Sequence, residues 1–172
     1  MDETIEVLAP HEARGNARPV WIVGSESGDP DGAKLPEAVS AWLDAIGFEP
    51  EAGAVALVPG SDAKSPACAV IALGAPADPL ALGALAAKLP AGDWTIANPE
   101  ATDIELATLG FSMGAYRFDR YRSQPQKTVR LVPDASLDRR RLEAVAGAVA
   151  LTRDLVNTPA NDMGPDAIET AL

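Results

Sequence analysis

Few side chains in this sequence combine a reactive type with a spacing that could do chemistry. There is one histidine, His11, and one cysteine, Cys68, so a Ser–His or Cys–His couple has a single candidate for its base. His11 follows a first apolar segment in a polar loop and reads as a surface residue. Cys68 lies inside the apolar run Ala67-Cys68-Ala69-Val70-Ile71, where a thiol serves as a small buried hydrophobe rather than a nucleophile. No Cys/His spacing suits zinc. The densest carboxylate group, Glu26, Asp29 and Asp31, sits in a Gly/Pro/Ser loop without the calcium-loop pattern and reads as a solvated turn. Gly24-Ser25-Glu26-Ser27-Gly28 follows an apolar run, the place where α/β proteins hold ligands. It has neither G-x-G-x-x-G spacing nor a GK[ST] ending, and its three neighbouring carboxylates would repel a phosphate. No catalytic, cofactor-binding or metal-ligating residue is assigned to this chain.

Composition narrows the partners. The 172 residues suit one domain, 47% of them are apolar, and aromatics make up 5%, which predicts a real core packed largely through small side chains. The net charge of −11 disfavours nucleic acid and anionic membrane as partners. The charge is uneven. Residues 1–116 hold 5 basic and 17 acidic side chains, whereas residues 117–141 hold 8 basic and 3 acidic. That basic stretch, with Arg117, Arg120, Arg122, Lys127, Arg130 and the run Arg139-Arg140-Arg141, reads first as a solvated face; the sharper reading is a patch that meets an acidic surface. One cysteine permits no intrachain disulfide, the N-terminus lacks a signal-peptide pattern, and no apolar run approaches the roughly 18 residues of a membrane span. A soluble cytoplasmic protein is the expectation.

The elements that would position any site follow from periodicity. Strands are expected at residues 4–9, 19–24, 54–58, 67–73, 94–97 and 128–132. Of these, 19–24 is apolar throughout, as in a strand covered on both faces. Helical spacing marks residues 35–46, stopped by Gly47, and 79–89, closed by Pro90. It also marks 103–118, with Ile104, Leu106, Leu109, Phe111, Met113 and Tyr116 as expected core members. A last long helix over 138–157 has Leu142, Val145, Val149 and Val156 among its apolar positions. The alternation predicts an α/β fold, a mixed β-sheet flanked by helices. Pro165 opens a further helix over 165–172 that runs to the last residue without a cap, as expected of a longer natural chain.

Two segments carry more specific patterns. Gly110-Phe111-Ser112-Met113-Gly114-Ala115-Tyr116-Arg117-Phe118-Asp119-Arg120-Tyr121-Arg122 places two glycines four apart, thinning one helix face for close packing, ahead of three aromatic anchors. It resembles the G-x-x-x-x-x-Y-x-F-x-x-Y-[KR] signature of the N-terminal domain of leucyl aminopeptidases, the M17 peptidase family. The second segment runs from Ala150 to Pro165 and contains Arg153-Asp154-Leu155-Val156-Asn157-Thr158-Pro159-Ala160-Asn161. It is similar to the R-[DE]-L-x-N-x-P-[AP]-N-x-x-x-P junction that leads from the linking helix of that family into its catalytic domain. Physically, Asn157 is suited to end the helix in the left-handed conformation, Thr158 is held extended by Pro159, and Asn161 can tie the turn. Arg153 and Asp154 can pair with an adjacent helix or a second domain.

The resemblance implies more than the residues themselves do. It implies a macro-domain-like, non-catalytic N-terminal domain over residues 1–157, ending in a linking helix at about 138–157, with 158–172 beginning a catalytic domain. It implies a parent enzyme that removes N-terminal residues from peptides with two divalent metals, Zn or Mn, held by a lysine and several carboxylates downstream of Asn161, including an Asn-Thr-Asp-Ala-Glu-Gly-Arg-Leu motif that is absent here. The fragment is then expected to be inactive. Its partners would be its own C-terminal catalytic domain, identical copies in a hexamer, and the parent's peptide substrate. The alternative reading is a stand-alone macro-like module for a nucleotide or ADP-ribose.

Overall fold

The computed structural model describes residues 7–24, 35–61, 64–121 and 127–171. The cluster Glu26, Asp29 and Asp31, the loop residues 25–28, and Arg122 lie outside the described residues, as does the first half of the strand expected at 4–9.

Five strands form one sheet in the order β2-β3-β1-β4-β5. The central strand β1, Arg18–Val23, alternates between two cores: Val20 and Ile22 face one side, Trp21 and Val23 the other, as the two-residue period of a strand requires. β3, Pro66–Ala72, and β4, Gly92–Ile96, flank β1 in parallel, and β5, Val129–Val132, extends the sheet in parallel beyond β4. β2, Val55–Pro59, closes the other edge antiparallel to β3. The sheet is mixed, as expected. Of the first expected strand, Leu8 forms a parallel bridge to Leu131, with Ala9 N–H donating to the Leu131 carbonyl at 2.9 Å.

Two layers of helix cover the sheet. On one face, α1, Glu37–Ala45, lays Val39 and Leu43 over Val23, Val70 and Ala72. It ends where Gly47 takes φ +61°, the left-handed turn that favours glycine. On the other face, a 3-10 turn at Pro79–Leu82 leads into α2, Gly83–Lys88. Leu82, Leu85, Trp94, Phe111 and Leu131 are there fully buried. Parallel strands need a crossover of some length. α2 makes the one from β3 to β4, and α3, Ile104–Gly114, the one from β4 to β5.

At two glycines α3 meets α2 and the 3-10 turn before it main chain to main chain. A methyl at Gly114 would lie 2.3 Å from the Gly83 carbonyl oxygen, and one at Gly110 would lie 2.8 Å from Leu80 Cα. The thin helix face expected from Gly110 and Gly114 is thus where two helices meet. The same close approach selects Ala107, Thr108 and Ser112 for burial, whereas Leu106, expected in the core, is 43% exposed.

α4, Arg139–Asn157, is capped by Asp138, whose carboxylate accepts from Arg141 N–H at 3.2 Å. It buries one residue of its 19, Leu142. Val145, Leu151 and Val156 stand out at 40, 48 and 79% exposure. α5, Pro165–Ala171, buries none of its residues. No described helix is long and apolar enough to cross a membrane.

Candidate functional site

The conventional place for a ligand in this architecture is the crevice at the carboxyl ends of parallel strands, where the crossovers diverge to either side. Here that point lies between β1 and β4, and Asn98 fills it. Its side chain is 4% exposed. The Asn98 Oδ1 accepts from Ile22 N–H at 2.9 Å, and the Asn98 Nδ2 donates to the Ile22 carbonyl at 2.8 Å. The amide acts as one more residue of sheet and occupies the main-chain groups that a ligand would use. Beside it, a crevice lined by Arg14, Ile96, Thr108 and Asp134 has no interior room even for a water molecule, whereas ligand pockets enclose roughly 300–1,000 Å³. Arg14 and Asp134 sit across it at 3.6 Å. Two bonds from the Ser136 main chain and hydroxyl, chiefly the former, hold the Asp134 carboxyl below its ordinary range, with Arg14 adding to them.

The residues weighed for chemistry are dispersed. His11 opens an exposed 3-10 turn, His11–Asn16, rather than a loop without structure. Cys68 is buried, and burial raises its thiol pKa. Among the described residues no three His, Cys, Asp or Glu side chains are placed to hold a metal ion. Three carboxylates are paired: Asp93 with Arg130 at 2.8 Å, Glu143 with Arg139 at 2.7 Å, and Glu105 with Arg141. These pairs also absorb much of the basic stretch, and Lys127 Nζ donates to the Ala87 and Leu89 carbonyls at 2.5 and 2.7 Å, closing the end of α2.

The two patterned segments, in contrast, meet each other. α3 stops at Gly114, four residues short of the helix expected to reach Phe118. The chain from 115 to 121 then runs across the end of α4 as a strap. Tyr116 Oη donates to Asp154 Oδ1 at 2.7 Å and accepts from Asn157 Nδ2 at 3.1 Å. Arg153 Nη1 donates to the Met113 carbonyl at 2.7 Å, satisfying an end of α3, and its guanidinium stands 5.4 Å from the Tyr116 ring centroid. Farther along, Arg120 Nη1 reaches Thr158 Oγ1 at 3.4 Å, and Tyr121 Oη donates to Asp162 Oδ2 at 2.5 Å. Phe118 packs edge-on against the Tyr121 ring, centroids 5.8 Å apart.

Asn157 does not adopt the left-handed conformation expected of it. It is the last residue of α4 and spends its side chain on Tyr116. The helix is ended instead by Thr158, extended at φ −74°, ψ 124° ahead of Pro159, as expected. Its buried hydroxyl donates back to the Asp154 carbonyl at 2.6 Å. The turn beyond it is tied by Asp162 and Met163 N–H groups donating to the Pro159 carbonyl at 2.9 and 3.1 Å, not through Asn161. Both phenols have pKa values raised above 10.0. For Tyr116 desolvation leads, with the bond to Asp154 next and Asn157 and Arg153 opposing. For Tyr121 the bond to Asp162 leads, and Arg120 opposes.

Fold and strap together define a layered α/β domain whose distinctive side-chain contacts lie where residues 115–121 meet the end of α4 rather than in a cleft. Residues 31–133 match the model of the M17 aminopeptidase N-terminal domain, and the chain belongs to that family. Over 84 residues it is 37% identical to the "Probable cytosol aminopeptidase" of Brucella melitensis, and equally to that of Brucella ovis. The match covers 41% of this chain and 17 and 16% of those proteins. The cytosol aminopeptidase of Coxiella burnetii superposes with a TM-score of 0.75 at 27% identity, over 91% of this chain and 34% of that one. The bottromycin maturation enzyme BotP in complex with Mn superposes at 0.58 and 26% identity, over 90% of this chain and 35% of that one. The chain thus spans about a third or less of the length of the proteins it matches.

Proposed function

We propose that residues 1–157 are the non-catalytic N-terminal domain of a cytoplasmic two-metal aminopeptidase that removes N-terminal residues from peptides. Residues 158–172 lead into its catalytic domain. The observation that supports this most is the meeting of the two patterned segments. A junction motif docked on an exit motif, with Val156, Leu151 and Ile168 left 79, 48 and 44% exposed around it, is what a linking helix needs before a second domain covers it. The names of the relatives support a cytosolic peptidase, and their greater length leaves room for a C-terminal catalytic domain.

The described residues of this chain do not fit the implied Zn or Mn pair. No group of acidic or imidazole side chains converges, and Asp154 and Asp162, nearest the junction, are committed to Tyr116 and Tyr121. No catalytic step is therefore assigned to this domain, and the fragment alone is inactive. Its role is to shape stability, substrate access or assembly of the parent into hexamers. The layering of a mixed sheet between helices is what remains of the expected likeness to macro domains. Asn98 in the crevice weighs against a nucleotide or ADP-ribose module.

The test is to compare the full-length parent with a version lacking residues 1–157. Release of leucine from leucyl peptides, sedimentation and thermal stability are measured with Mn or Zn added. The proposal expects the shortened protein to lose stability, assembly or rate of leucine release; two proteins alike in all three respects would refute it. Calorimetry with ADP-ribose on this chain should give no saturable heat.

A further inference from the structure

We propose that the strap at residues 115–121 is a clamp that fixes the direction in which the chain leaves the domain, with the Tyr121–Asp162 bond as its releasable catch. This rests on the linking role of α4 proposed above, but the clamp is a property of this chain alone.

The strap is held on the body at its start, where Gly114 abuts Gly83 of α2 with no room for a methyl. Along it, the bonds divide by what they hold. Tyr116 grips Asp154 and Asn157, which belong to α4 itself. Arg120 grips Thr158, the turning point. Tyr121 grips Asp162, beyond the turn. α5 buries no residue completely, and among the side-chain hydrogen bonds of the described residues the Tyr121–Asp162 bond is the one that reaches from the strap to the chain beyond Thr158.

Its position at the surface is what makes the catch releasable. Tyr121 is 53% exposed, and one solvent-exposed hydrogen bond shifts an equilibrium by on the order of fivefold. That suffices to bias two orientations without locking either. The raised pKa of Tyr121, caused first by Asp162 and opposed by Arg120, agrees with a neutral phenol donating to a carboxylate.

The experiment uses the 172-residue chain with Cys68→Ala and spin labels on Asp44→Cys in α1 and Glu169→Cys in α5, both exposed positions. Pulsed dipolar spectroscopy should give one dominant distance with at most a minor second population. Tyr121→Phe and, independently, Asp162→Ala should broaden it or add a second population, grown on the order of fivefold. Tyr116→Phe, which acts before the turn, should change it far less. Because the chain has two tyrosines, phenolate absorbance reads the catch directly, and Asp162→Ala should bring one of the two titrations back toward 10.0. Unchanged distances in both Tyr121→Phe and Asp162→Ala would overturn the clamp, and so would equal broadening by Tyr116→Phe. If Tyr121→Phe fails to fold, the Asp162→Ala distances and titration decide alone. A parent without peptidase activity would sink the functional proposal and leave these distances untouched.

Discussion

A single added methyl distinguishes a crowded helical glycine from an open one. In Gly114→Ala the new Cβ would stand 2.3 Å from the Gly83 carbonyl oxygen, 2.5 Å from its Cα and 2.6 Å from its carbonyl carbon. All three are main-chain atoms, so no side chain can turn aside. Restoring contact near 3.5 Å requires α2 and α3 to part by roughly 1 Å, and forced overpacking of this kind costs about 1–3 kcal/mol. Replacing a helical glycine by alanine returns about 0.5–1 kcal/mol, less at the last residue of α3. The net expectation is a loss of about 1–2 kcal/mol. Gly147→Ala is the control, because the same methyl in the exposed middle of α4 meets nothing within 4 Å, and it should gain about 0.5–1 kcal/mol. Urea unfolding followed by tryptophan fluorescence and far-ultraviolet circular dichroism measures both. At roughly 2–4 °C per kcal/mol for a chain of this length, melting should fall by about 2–8 °C in one variant and rise by about 1–4 °C in the other. A Gly114→Ala protein as stable as its parent would show that the helices do not approach as closely as described.

Other perturbations follow from the same contacts. Asn98→Ala leaves the N–H and carbonyl of Ile22 buried without partners and should cost about 2–4 kcal/mol in urea unfolding; a loss under 1 kcal/mol would contradict the role given to Asn98. Asp134 has a folded pKa below its ordinary 3.8, so the folded state binds its proton more weakly than the unfolded chain does. The stabilisation is complete above about pH 4 and is lost as the pH falls through the folded value. The stability gap between parent and Asp134→Ala should therefore close on acidification, and a gap independent of pH would refute that assignment. The two tyrosines have the opposite sign. Their folded pKa values are raised above 10.0, so the stability that they contribute holds below about pH 10 and declines as the pH climbs past it. Alkaline titration of unfolding for Tyr116→Phe against the parent measures this.

Much of this was legible in the sequence, and the exceptions share a physical origin. Apolar runs and glycine or proline stops located the strands and helices because those signals are local. The end of α3 was not local. Nothing between Gly114 and Phe118 forbids helix; the chain leaves it because Tyr116 and Tyr121 are bonded to residues 38 and 41 positions away. Asn157 has the side chain for a left-handed cap, yet the same tyrosine recruits it into helix. Leu106 and Val145 have core chemistry but stand at the surface, since α3 approaches α2 through glycine and α4 rests on the body through Leu142. The family was readable from residues 110–122 and 150–165, whereas their mutual contact was not, because spacing in sequence carries no record of pairing. Asn98 left no signal in the sequence at all; a lone asparagine after a strand is ordinary in a turn.

The most direct test of the two-domain reading is to translate the natural reading frame beyond Leu172 and assay its product beside this chain. The expected result is a downstream lysine and carboxylate set that binds two metal ions, full-length protein that releases leucine from leucyl peptides, and a 172-residue chain that releases none under the same metals. A frame that stops at Leu172, or a 172-residue chain that hydrolyses the peptides by itself, would contradict it.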